Sequence, residues 1–84
     1  MRTDILTEAE QVLAARGTEY GPAGASLSAL STRWSQTLGV PVSPVQVAVC
    51  LIDLKLVRLA HDPSHRDSLV DVIGYAALAA EVQP

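Results

Sequence analysis

The stretch Ser43-Pro44-Val45-Gln46-Val47-Ala48-Val49-Cys50-Leu51-Ile52-Asp53-Leu54-Lys55-Leu56-Val57-Arg58-Leu59-Ala60-His61-Asp62-Pro63 decides how this chain folds. The β-branched run Val40–Val49 has the composition of a strand. Pro41, Pro44 and the length of the apolar run argue for helix instead. Ser43 and Pro44 then make a start signal. A serine N-cap accepts a free backbone N–H, and a proline at the first helical position lacks the N–H that would go unpaired. The spacing predicts a helix from Pro44 to about His61. It is apolar on nearly every side from Val45 to Ala60, as expected of a helix surrounded by protein, here by a second subunit.

Downstream, Asp62-Pro63 starts a tight turn. Ser64-His65-Arg66-Asp67 has the S-x-x-D form of a capping box and opens a fourth helix that runs to about Val82. Upstream, Gly39-Val40-Pro41-Val42 is a break. Before it, Leu27, Leu30, Trp34 and Leu38 recur at helical spacing and define a second helix over about Ala25 to Leu38. The amphipathic periodicity makes Trp34 a core or interface residue. A first helix starts at a Thr3 or Asp4 cap and runs to about Arg16, with Gly17 as its C-cap glycine. Three glycines and a proline between Gly17 and Gly24 read as a loop. Period-two alternation is missing, so the expectation is a single all-α domain over residues 1–84, four helices with the first loosely attached.

Size and composition narrow the functional classes. A chain of 84 residues buries only about 60–65% of its unfolded surface. Yet 49% of its residues are apolar and 18% charged, so a homo-oligomer is the natural way to cover the excess. A net charge of −3 argues against general nucleic-acid binding, which leaves a basic footprint. Cys50 has no internal disulfide partner and is expected as a buried, inert thiol. The acids near the N-terminus are unlike a signal peptide, and Gly39, Pro41 and Pro44 interrupt the uncharged run Trp34–Ile52, which argues against a membrane span. A cytoplasmic protein is expected.

The polar chemistry is concentrated between Asp53 and Tyr75, which hold both histidines and four of the nine acids. Lys55, Arg58 and Asp62 share one face of the third helix, and Asp67, Asp71 and Tyr75 share one face of the fourth. The turn folds these faces together, so Arg58 is expected to pair with Asp67 or Asp71, with Lys55 deeper, toward Tyr75. One reading is a pocket formed by Lys55, Arg58, His61, His65 and Tyr75 that holds a phosphorylated, nucleotide-like ligand. The carboxylates of Asp67 and Asp71, one turn apart, suit Mg²⁺. The competing reading is an ion-pair network that fixes helix register, with His61 and His65 as capping or solvated residues. Tyr20, between Glu19 and Gly21, suits either base stacking or an interface plug.

Several separated motifs agree in order with one group of proteins. They are Arg16-x-x-Glu19-Tyr20-Gly21, Trp34-Ser35, Leu38-Gly39-Val40, Ser43-Pro44-x-x-Val47-Ala48, Lys55-x-x-Arg58-Leu59 and His65-x-Asp67-Ser68-x-x-Asp71-x-x-Gly74-Tyr75. The chain thereby resembles small helical phage and prophage proteins. More distantly it is similar to the MazG-like all-α nucleotide pyrophosphohydrolases, which hold Mg²⁺ between an E-x-x-E helix and an E-x-x-D helix. The resemblance implies a four-helix MazG-like bundle of viral or prophage origin, completed by homo-oligomerisation. Asp53, Asp67 and Asp71 stand where metal ligands would be. The third helix carries no E-x-x-E, however, and the fourth offers Asp67-x-x-x-Asp71. That departure favours binding without turnover, such as sequestration of a host cyclic nucleotide in an anti-defence role. Mg²⁺-dependent hydrolysis and a ligand-free interaction module are the alternatives.

Overall fold

The computed structural model describes residues 1–20 and 23–83, without the side chains at 18–20 and 23. Four helices follow one another: α1 (Arg2–Tyr20), α2 (Ala23–Leu38), α3 (Pro44–His61) and α4 (Arg66–Glu81). The described residues contain no strand. None of the described helices is long and apolar enough to cross a membrane.

Helix α3 begins as its sequence predicts. The Ser43 Oγ accepts the Gln46 backbone N–H at 3.1 Å, and Gln46 Oε1 accepts the Ser43 N–H at 2.8 Å. This reciprocal box, with Pro44 behind it, pairs groups that a bare helix start leaves open. At the other end the Asp62 N–H donates to the Arg58 carbonyl at 2.9 Å, and Pro63 prevents continuation.

The start of α4 differs from expectation. Ser64 is not its cap, because the Asp62 carboxylate takes both the Ser64 N–H (3.2 Å) and the Ser64 hydroxyl (2.9 Å). The N-cap moves one residue on, to His65, whose Nδ1 accepts the Ser68 N–H at 3.2 Å and lies 2.8 Å from the Ser68 Oγ. Asp67 falls in the first turn of α4, where a carboxylate interacts favourably with the helix dipole.

The two glycines read as helix ends fare differently. Gly17 does not end α1, which continues to Tyr20. Gly39 ends α2, with φ +72° and its N–H donating to the Ser35 carbonyl at 2.9 Å. This left-handed position closes the helix and turns the chain toward α3. Ser35 secures the turn by accepting the Val42 N–H at 2.8 Å.

The core is narrow. Leu27, Val47 and Ala48 are buried at its centre, with Leu30, Trp34, Leu51 and Leu78 among the half-buried residues packed around them. Trp34 therefore belongs to the core margin. Helices α3 and α4 form the most extensive pair, followed by α1 with α4. Helix α1 is held at several points. Arg66 binds Glu8 Oε2 through Nε (2.8 Å) and Nη2 (2.7 Å), and Leu13 packs at Gly74. The expectation of a loosely attached first helix is corrected by these contacts. They come from residues far apart in sequence, which helical periodicity does not report.

The glycine assignments have opposite consequences for stability. Gly39→Ala is expected to destabilise by about 1 kcal/mol, since alanine resists positive φ. Gly17→Ala is expected to stabilise by roughly 0.4–1 kcal/mol, because the new methyl meets nothing within 4 Å and the helix gains propensity. Urea denaturation of both variants checks this. Equal effects, or effects of reversed sign, would contradict the assignments.

Candidate functional site

All four helices converge on a cavity of about 280 Å³. Its walls are mainly apolar, with Val12 and Leu13 from α1, Leu27 and Leu30 from α2, Leu51 from α3 and Leu78 from α4. Polar groups enter at Arg16, Ser26, Asp71 and Tyr75. A concave apolar chamber with a few convergent polar groups, close to the roughly 300 Å³ lower end of small-ligand pockets, is the usual form of such a site.

Asp71 is the centre of its electrostatics. Its side chain is only 9% exposed and meets two cations. Lys55 Nζ lies 3.0 Å from Oδ2, and Arg16 Nη2 lies 3.4 Å from Oδ1. The two cations are not equivalent. The Lys55 side chain is 19% exposed and reaches Asp71 from within the α3–α4 interface, whereas the Arg16 side chain is 48% exposed and borders the cavity. A buried carboxylate without a counter-charge costs several kcal/mol, so at least one cation is structurally required. The shorter, more buried Lys55 contact supplies it. Among the described residues, every buried side-chain nitrogen and oxygen has a partner.

The register of the α3–α4 hairpin explains why Lys55 is the inner partner. The turn from Asp62 to His65 reverses the chain tightly, and Lys55 and Asp71 stand at nearly equal sequence distances on either side of it. Arg58 stands closer to the turn and faces solvent. It forms no ion pair among the described residues, so the expected pairing of Arg58 with Asp67 or Asp71 is replaced by Lys55 and Arg16 with Asp71.

The other residues singled out in the sequence are dispersed. His61 is exposed on α3 and, like Arg58, does not border the cavity. His65 is engaged as the α4 cap. Tyr75 does line the cavity. The Tyr20 side chain and residues 21 and 22 lie outside the described residues. Asp53 and Asp67 are exposed, while Asp71 is buried. Among the described residues, no group of three or more His, Cys, Asp or Glu is placed to hold a metal ion. Asp53, Asp67 and Asp71 are therefore not gathered into one cage. Cys50 is exposed on the outer side of α3, contrary to the expectation of a buried thiol.

Arg16 is the residue that sequence reasoning missed. It appeared only as the last residue of a helix and the first of a motif. Its one available signal was its position as the lone cation between Gln11 and Ser26. Nothing local joins it to an aspartate at the far end of the chain.

This asymmetry predicts distinct mutational costs. Lys55→Met is expected to destabilise by about 2 kcal/mol, because Asp71 then depends on a looser, half-exposed partner. Arg16→Gln is expected to cost less than about 1 kcal/mol, the range of exposed ion pairs. The double change Lys55→Met with Asp71→Leu should recover most of the loss, since an apolar pair can replace a buried ion pair. Chemical denaturation of the three variants tests the ordering. A larger cost for Arg16→Gln than for Lys55→Met would refute it.

The gene 55 protein of Mycobacterium phage L5 is 36% identical over 81 residues, covering 94% of this chain and 52% of that protein. A probable ATPase of Lysobacter enzymogenes is 35% identical over 81 residues, covering 90% of this chain and 8% of that protein. The chain thus spans about half the length of the first relative and a small part of the second. No solved structure matches it. Residues 4–83 match the model of the family described as Domain of unknown function (DUF6378), and the chain belongs to that family.

Proposed function

We propose that this protein binds a nucleotide-type small molecule between its helices and does not turn it over. The supporting observation is the unequal pairing at Asp71. Lys55 can neutralise the buried carboxylate alone, so Arg16 is available to turn toward a ligand anion without leaving Asp71 uncompensated. A guanidinium suits phosphate through paired N–H donors, and the apolar walls with Tyr75 suit a base. Arg58 and His61, expected in the same pocket, are exposed and do not line it; Tyr75 remains, and Arg16 joins it in this reading.

Binding is favoured over hydrolysis because Mg²⁺ needs several free oxygen ligands. Asp71 is committed to two cations, while Asp53 and Asp67 are solvated on separate helices. In this reading the MazG-like character lies in the bundle and its internal site, without the catalytic metal. The proposed role is sequestration, by a homo-oligomer in the host cytoplasm, of a host signalling nucleotide, a cyclic one included; the relative in a phage is consistent with a phage origin. A second reading, an interaction module, is favoured by the Lysobacter relative, in which a stretch of this size is a small part of a long protein.

Thermal denaturation with a panel of nucleoside monophosphates, triphosphates and cyclic dinucleotides tests the proposal. A ligand at a hundred times its Kd stabilises by about 2.7 kcal/mol, which raises the Tm of a domain this small by on the order of 10 °C. The ligand should be recovered intact, and Arg16→Gln should abolish the shift while the helical circular dichroism persists. Absence of stabilisation by every nucleotide would leave the interaction module. Release of pyrophosphate would instead establish an enzyme.

A further inference from the structure

We infer that the outer face of α3 is a self-complementary interface that pairs two copies of this chain about a two-fold axis. The inference deepens the oligomer reading above by naming the surface. Along α3, Gln46, Val49, Asp53, Leu56 and Ala60 follow the three-and-four spacing of a helix-pairing seam, and all are exposed. Val57 and Leu54, beside the seam, are 73% and 59% exposed. The only charge on the seam is Asp53. Val49, Leu54, Leu56 and Val57, left about half or more exposed on one helix, form an apolar patch of a kind rare on a monomer.

The total surface points to the occupant. The chain exposes 5720 Å², about 900 Å² more than the roughly 4800 Å² expected of a folded monomer of 8.9 kDa. A standard interface removes about 800 Å² from each partner. The surplus is of the size that one further copy would cover.

The shape of the face favours a second copy over an unrelated partner. Its N-terminal half is a shallow apolar groove between α3 and the α2–α3 turn, lined by residues that include Trp34, Leu38 and Val49. In its C-terminal half Val57 stands 73% exposed. A two-fold axis running two helices antiparallel places each copy's Val57 toward the other copy's groove, which is the condition for an isologous contact. Asp53 is midway between Val49 and Val57, so the two copies' Asp53 carboxylates approach the axis and repel. The geometry thus contains one unfavourable contact whose removal should tighten the pair.

Sedimentation of the full chain tests this. The wild type is expected at twice 8.9 kDa, and Val57→Glu as a folded monomer by circular dichroism. Leu6→Glu, on the exposed part of α1, should leave the dimer intact. Asp53→Asn should lower the dimer Kd several-fold, which keeps the test open if Val57→Glu fails to fold. Alkylation of Cys50, which borders the groove, should be at least ten times faster in the monomeric variant. A wild type that stays monomeric at high concentration overturns both the interface and the oligomer reading. A dimer unmoved by both Val57→Glu and Asp53→Asn overturns this face alone. Nucleotide-induced stabilisation of the monomeric variant tests the internal site separately.

Discussion

The carboxylate of Asp71 is the constraint around which the bundle is arranged. It is placed on the inner side of α4, and a charge there must be neutralised. Lys55 does so from α3 and Arg16 from α1, so one residue connects three of the four helices. Its contact with Lys55 also fixes the height at which α3 and α4 meet. A shift along either helix would leave the carboxylate and the ammonium apart. Hydrophobic burial supplies most of the stability, but it is non-directional. The ion pair adds the specification of register that a small core of Leu27, Val47 and Ala48 supplies weakly.

The same contact organises the cavity. Arg16 stands at its wall because Asp71 draws it inward, and Tyr75 lies one turn beyond Asp71 on α4. The walls themselves come from aliphatic side chains of every helix. The chemistry that results is one half-exposed guanidinium, one tyrosine and an apolar chamber. That combination suits recognition of a molecule with an apolar part and an anionic part. The carboxylate nearest the chamber, Asp71, is already paired.

The sequence showed clearly those elements that local chemistry determines. Ser43, Pro44 and Pro63 bracket α3 by interactions a few residues long, and the observed helix has those bounds. The four-helix, all-α expectation follows from the same kind of signal. The cap of α4 was misplaced because Ser64 had a nearer competitor, the Asp62 side chain. Gly17 and Gly39 look alike in sequence, yet only Gly39 needs a positive φ. Charge partners were the least legible. The spacing of Lys55, Arg58, Asp67 and Asp71 showed two stripes that could meet. It did not show which members face inward, nor that Arg16 arrives from α1. Cys50 was misread for a related reason, since an apolar neighbourhood in sequence does not say which side of a helix is covered.

On the function proposed above, Asp71 keeps Lys55 while Arg16 turns to the ligand. Nitrogen-15 NMR of the arginine Nε–H and lysine Nζ groups during titration with a stabilising nucleotide tests it most directly. The account predicts a large shift of the Arg16 Nε–H resonance, with the Lys55 and Arg58 signals nearly unchanged. Perturbation of Arg58 with Arg16 unmoved, or loss of the Lys55 contact on binding, would contradict it.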